Sequence, residues 1–261
     1  MVLVVWHVAS QRSVLVPSIA SVLDVLRHPF REPPDLDSSP LAAGVLVSIL
    51  RVVLGFGLAI LTAVPLGLWI GRSSLARDLF SPTLAAIMAI SPIAWLPVTI
   101  LIFGLSSPAT ILYGQESWRA DILDQLRFAV VGVIWMSAFF PIAMNAAAGA
   151  QSVRQSYIET IQVLGGTRWQ VLTKAIIPSA APSVMTGLQI GGMISWRAIV
   201  AAEIFPGTQG GLGYMISTAQ HQGSLRYAFA ALIVIGLIGL ALDGGLRLLS
   251  WRVGRWQVKQ K

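Results

Sequence analysis

Long apolar runs decide what this chain can become. Leu41 to Ile70, Leu79 to Leu105, Arg127 to Ala150, Ala181 to Phe205 and Ala228 to Trp251 are each apolar enough to enter a bilayer, which needs roughly 20 such residues per helix. In lipid each backbone N–H and C=O must be satisfied inside the segment, so the runs are expected as helices packed against one another. Only 11% of the 261 residues are charged and 55% are hydrophobic, whereas a water-soluble domain carries about 25% charged residues. The expectation is an all-α membrane protein, a polytopic helical bundle of five full spans. Pro82, Pro92 and Pro97 interrupt the second run, which a membrane helix tolerates where neighbours satisfy the freed carbonyls. Arg51 lies in the first third of the first run and is expected to snorkel toward the nearer surface.

Between the third and fourth runs lies a polar, helix-forming island, Tyr157 to Pro178. On a helix Tyr157, Ile158, Ile161 and Leu164 share one face while Glu159, Thr160 and Gln162 take the other. Gly165 and Gly166 suit the left-handed backbone that ends a helix, and Thr167 suits the N-cap of the next. In that second helix Trp169, Leu172 and Ile176 share a face, and Pro178 is expected to stop it. Two short helices at an angle, apolar on one side, make a knob for something outside the bilayer to grip.

Charge gives the orientation. If the island is cytoplasmic, its side holds Arg72, Arg77, Arg154, Arg168, Lys174, Arg247, Arg252, Arg255, Lys259 and Lys261 against Asp78 and Glu159. The other side holds Arg12, Arg27, Arg31, Arg119, Arg127 and Arg226 against seven carboxylates. That is the positive-inside bias, and it explains the net charge of +7 without nucleic acid as a partner. The start, MVLVVWHVAS, is too short to span and lacks the basic region and cleavage site of a signal peptide. Gln11 to Pro40, with five prolines and four carboxylates, reads as a solvent-side connection. Within it Val14 to Leu26 reads as a short surface helix opened by Pro17 and Ser18.

The island also carries a resemblance. Glu159, Gly165 and Pro178 match the spacing of the cytoplasmic E-A-A-x3-G-x9-I-x-L-P loop of ABC importer permeases, with Thr160, Ile161, Ala175 and Ile177 departing from that pattern. Ser48 to Phe56, Ser91 to Pro97 (SPIAWLP), Ala198 to Glu203 (AIVAAE) and Gly210 to Gly213 (GGLG) resemble the nitrate, bicarbonate, taurine and aliphatic sulfonate branch of the binding-protein-dependent permeases. The likeness runs from about Val14 to the C-terminus, except for an insert at 106–126 for which it gives no role. It implies a type I ABC importer permease fold, with a partial N-terminal span at Met1 to Val8 before the five full ones. It divides the chain into a partial span and external segment at 1–40, a transmembrane domain at 41–251 with a coupling loop at 151–178, and a basic cytoplasmic tail at 252–261.

The resemblance also implies the partners: ABC ATPase subunits, an external or periplasmic substrate-binding protein, a second permease copy and membrane lipid. Tyr157, Glu159, Ile161, Leu164, Gly165, Gly166, Arg168 and Pro178 are then the ATPase-coupling residues. For the substrate path the candidates are Arg197, Trp196, Trp95 and Glu203. A cation inside a span usually faces a cavity or a partner, and a guanidinium matches planar oxyanions. If Arg197 instead pairs with a carboxylate, Glu203 is about 240° around the same helix and poorly placed, which leaves Asp243 or a second copy. Gly187 and Gly191 form a small-x3-small pair that hints at association of two copies.

Enzymatic chemistry has no foothold. His7, His28 and His221 are scattered, and neither a metalloprotease helix, a serine-hydrolase elbow nor a phosphate-binding glycine loop occurs. No cofactor or metal is expected, and the energy for uphill transport has to come from a partner. The cargo expected is nitrate, nitrite or bicarbonate. The alternatives are a sulfonate such as taurine, a thiamine precursor, or an ATP-independent channel or scaffold.

Overall fold

The computed structural model describes residue 6 and residues 16–104, 106–114, 121–205 and 208–254. The expected partial span at Met1 to Val8 and most of the basic tail lie outside them. Regular structure among the described residues is helical throughout: α1 (Ile19–Arg27), α2 (Leu41–Arg72), α3 (Ser74–Met88), a 3-10 turn (Pro92–Trp95), α4 (Leu96–Phe103), α5 (Pro108–Tyr113) and α6 (Asp121–Gln125). Then follow α7 (Phe128–Gln151), α8 (Gln155–Val163), α9 (Arg168–Val171), a π turn (Leu172–Ile176), α10 (Ile177–Ile204), α11 (Leu212–His221) and α12 (Leu225–Gly254). Among the described residues five stretches are long and apolar enough to cross a membrane: Leu41–Arg72, Pro92–Tyr113, Phe128–Gln151, Arg168–Ile204 and Leu225–Arg252.

Four of these fall where the sequence places them, and one does not. The expected helix from Leu79 to Leu105 is broken after Met88, and the chain re-forms a helix only from Pro92. Proline disfavours helical backbone in the residue before it and brings no N–H of its own, so Ser91 and Pro92 make a natural break. Gly104, at φ 62°, ends α4.

The chain groups into two compact units, one of Met1–Val53, Leu96–Val133 and Arg197–Leu240, the other of Leu54–Trp95, Ile134–Trp196 and Ala241–Lys261. In the first, α1 begins as expected at Ser18, whose hydroxyl accepts from the Ser21 N–H, and buries Val22 and Val25. The proline-rich segment after it is tied down rather than loose. Ala42 N–H donates to the Pro29 carbonyl at 2.9 Å, Asp37 N–H to the Gln222 side chain at 2.9 Å and the Ser224 hydroxyl to the Asp35 carbonyl at 3.1 Å. Arg226 pairs with Asp35.

The second unit is packed through small residues. A Cβ at Gly67 or Gly71 of α2 would fall 2.4 Å or 2.2 Å from the carbonyl oxygens of Ala143 or Ala147 on α7, so only glycine permits this approach of backbones. Gly187 and Gly191 of α10 likewise face Asn145, Ile142 and Ala138 of α7. The small-x3-small pair is therefore consumed inside one chain, which removes it as a hint of dimer contact.

Candidate functional site

The island forms an elbow. At its corner Gly165 takes φ 76°, and the N–H groups of Gly165 and Gly166 donate to the carbonyls of Gln162 at 3.0 Å and Ile161 at 2.8 Å. This pair of bonds is a Schellman motif, which satisfies the last carbonyls of α8 and turns the chain sharply. A Cβ at Gly166 would lie 2.4 Å from the Ile161 side chain, while one at Gly165 would meet nothing within 4 Å. Thr167 then opens α9 with a full capping box, reciprocated by Gln170. Both devices stand where the glycines and threonine place them.

Two expectations about the elbow need correction. Pro178 does not stop the helix, because the chain stays helical from Arg168 to Ile204. The turn before it widens to a π turn, with Ile177 N–H donating to the Leu172 carbonyl. An extra residue in that turn makes room for the proline ring. The apolar face is also rotated. Ile158, Val171 and Ile176 are buried with Leu68 of α2, Ala150, Val153 and Ala180, and Ile161 and Leu172 pack on this cluster. Tyr157 and Leu164, expected beside them, are 46% and 81% exposed, as Trp169 is at 69% and Val163 at 86%. At 100° per residue the four apolar positions spread over about 120°. The packed cluster meets the side of Ile158, leaving Tyr157 and Leu164 at the far rim. Glu159 and Arg168 are exposed too.

In the other unit the structure reveals a polar centre that the sequence reading missed. Arg51 does not snorkel; its side chain and that of Glu203 are both fully buried and form an ion pair, Nη1 to Oε1 at 2.7 Å. All five guanidinium N–H groups have acceptors. Nε donates to the Gln125 carbonyl at 3.1 Å, and Nη1 donates also to the Gly210 carbonyl at 3.1 Å. Nη2 donates to the carbonyls of Gln209 at 2.8 Å and Gln125. Glu203 is equally engaged, taking the Ser48 hydroxyl at 2.8 Å and the Gly213 N–H at 2.9 Å. Ser48 in turn accepts from Leu212 N–H at 3.0 Å.

Three glycines make this fit. A Cβ at Gly211, where φ is 101°, would lie 2.3 Å from the Glu203 carboxylate; at Gly210 it would lie 2.2 Å from the Gln125 side chain, and at Gly213 2.5 Å from the Val200 carbonyl. A buried ion pair survives only with its remaining polar atoms satisfied, and the GGLG loop and the end of the insert supply that here. The sequence did hold a signal. Arg51 and Glu203 are opposite charges inside apolar runs, with Ser48 one turn from Arg51.

The remaining candidates are dispersed. Trp95 is half-buried and stacks on Phe140 with ring centroids 6.4 Å apart. Trp196 is buried, whereas Arg197, the next residue of α10, is exposed. Asp243, considered as a partner for Arg197, pairs with Arg247 at 2.8 Å. Glu203, the fourth of the substrate-path candidates, is held in the buried pair with Arg51. No group of three or more His, Cys, Asp or Glu residues suited to a metal occurs among the described residues.

Comparison with known proteins agrees with this architecture. The chain is 33% identical over 261 residues to a putative ABC transporter permease protein of Methanocaldococcus jannaschii, covering 99% of this chain and 90% of that one. It is 33% identical to the taurine transport system permease protein of Escherichia coli over 80% of this chain and 68% of that one. Against the nitrate import permease protein of a Synechocystis strain it is 32% identical over 92% and 82%. In fold it is similar to the MetNI methionine ABC transporter in inward-facing conformations, with a TM-score of 0.61, 16% identity and coverage of 82% of this chain and 95% of that one. Residues 63–255 match the family described as binding-protein-dependent transport system inner membrane component. With helices that suit a bilayer, the chain belongs to that family as a non-catalytic, membrane-spanning permease subunit of an ABC transporter.

Proposed function

We propose that this permease forms the path for a small inorganic oxyanion, nitrate or bicarbonate, and that its elbow is where an ATPase subunit presses. The observation that carries the coupling role is the exposed apolar rim of Tyr157, Val163, Leu164 and Trp169 around a rigid glycine corner. Large apolar side chains on a polar segment outside the spans fit a protein partner better than water. Gly165, Gly166 and Thr167 shape the corner, while Ile161 anchors it from beneath. Glu159 and Arg168 surround it with charge.

The geometry suggests how a push becomes movement. Helical structure runs from Arg168 through Ile204, so the elbow is joined directly to α10. Two ATPases closing on nucleotide would draw two elbows together, and α10 would change the side on which the path opens. A second permease copy completes the path, and a binding protein outside delivers the cargo.

Arg197 supports an anion as cargo. It is exposed on a membrane helix, where a cation is tolerated beside a cavity or a partner, and its planar fork suits an oxyanion. The taurine permease among the relatives keeps a sulfonate as the second reading. Vesicles holding the permease, ATPases and binding protein decide between them. Labelled nitrate or bicarbonate should accumulate with ATP, and taurine should not compete. Arg197→Met should cut that uptake at least tenfold, a loss of about 1.4 kcal/mol, with unchanged protein in the membrane. Unaltered uptake by Arg197→Met removes the anion role, and uptake without ATP removes the importer reading in favour of a channel.

A further inference from the structure

We propose that the outward face of α1 and the turn after it, carrying Leu23, Arg27, Phe30 and Arg31, sits in the lipid headgroup layer and anchors the N-terminal segment to the bilayer.

The helix turns Val22 and Val25 into the protein, which sends Leu23 and Arg27, one turn apart, to the opposite side. Leu23 is 44% exposed and Phe30 82%. Phe30 lies outside the five apolar spans, though close in space to the first of them. Its height is fixed by the Ala42 N–H to Pro29 carbonyl bond. That bond sets Phe30 next to the first turn of α2, a membrane-crossing helix, and Leu46 and Ile49 expose apolar surface one and two turns further along it. Phe30 therefore stands at the rim of a lipid-facing wall.

The charges fit the same layer. Around this face Asp35 pairs with Arg226, Asp24 lies 3.4 Å from the His28 ring, and Glu32 is exposed. The side chains of Arg27 and Arg31 are both exposed, and their long stems can lie along apolar surface while the guanidinium reaches phosphate. Leu and Phe on one side with arginines beside them is the composition of a helix lying in a membrane interface. The lipid of the bilayer that holds the spans is the one occupant already adjacent.

The chain has no cysteine, which makes a direct test clean. Nitroxide labels are placed at Phe30→Cys and Leu23→Cys in the intact permease complex, in vesicles of phosphatidylethanolamine and phosphatidylglycerol. Asp37→Cys serves as the aqueous reference and Leu101→Cys as the lipid reference. The expected result is that oxygen relaxes both test labels better, and a water-soluble nickel chelate severalfold worse, than at Asp37, giving a depth between the two references. Reversing both charges, Arg27→Glu with Arg31→Glu, should move the Phe30 label toward the aqueous value. Labels as accessible to nickel as Asp37 would overturn the proposal. So would labels shielded only after the external binding protein is added, which would make the face a protein contact.

Discussion

Two turns in this chain start from the same local device and finish in opposite ways. Gly210 and Gly211, at φ 71° and 101°, precede α11; Gly165, at φ 76°, precedes Gly166 and α9. Around the first turn the carbonyls of Gln209 and Gly210 and the N–H groups of Leu212 and Gly213 are bonded to Arg51, Ser48 and Glu203, and no room is left even for a methyl group. Around the second, Gly165 faces open space, and Val163, Leu164 and Trp169 point away from the protein. Glycine at 211 is demanded by crowding as well as by backbone conformation, at 165 by conformation alone. The first turn is closed by bonds within one chain, whereas the second leaves its large apolar side chains exposed.

The sharpest way to break this contrast is to remove one half of the buried pair. Glu203→Ala leaves the Arg51 guanidinium buried beside carbonyls with no counter-charge, and breaking such a pair typically costs about 3–5 kcal/mol. We expect severe loss of folded protein in the membrane and a much lower melting temperature in detergent, read by a thermal-shift assay. Glu203→Gln keeps one acceptor oxygen, turns the other into an NH2 donor facing N–H groups and carries no charge, and should fall between. Full stability of Glu203→Ala would mean that the centre is not holding the GGLG loop.

Next come the two glycines compared directly. Gly211→Ala meets both the left-handed backbone and the Glu203 carboxylate, so its melting temperature should fall clearly. Gly165→Ala meets only the backbone penalty, about 1–2 kcal/mol, and has space for its methyl group. Its melting temperature should fall less, while the altered corner should lower uptake. Equal destabilisation by the two would erase the distinction between a crowded turn and an open one.

How much of this was readable follows from the range of each interaction. Four spans, the Schellman corner at Gly165 and the Thr167 cap rest on neighbours a few residues apart, and sequence carries those directly. The break before Pro92 was signalled by the proline, but apolar residues on both sides made one long helix the simpler expectation. Pro178 misled in the other direction, since the π turn that accommodates it has no marker in the residue pattern. The rotation of α8 toward Ile158 depends on Val171 and Ile176 arriving from the next helices. Arg51 and Glu203 are 152 residues apart, and two charges in separate apolar runs do not show that they meet until the chain is folded.

The smallest effect on folding, and the most telling for function, belongs to the open turn. Leu164 and Trp169 are mostly exposed, so Leu164→Asp and Trp169→Asp remove little packing, and surface changes of this kind usually stay within about 0.5 kcal/mol. Melting temperatures should match the parent chain. If an ATPase covers this rim, each aspartate places a carboxylate in an apolar contact, and its desolvation opposes docking. Uptake and transport-coupled ATP hydrolysis should then collapse, and crosslinks from the elbow to the nucleotide-hydrolysing subunit should disappear. Ile158→Asp separates the two sides of the elbow, because that residue is buried and its change should unfold the corner itself. If Leu164→Asp and Trp169→Asp left uptake intact, the rim would be lipid- or water-facing surface and the motor would have to grip elsewhere.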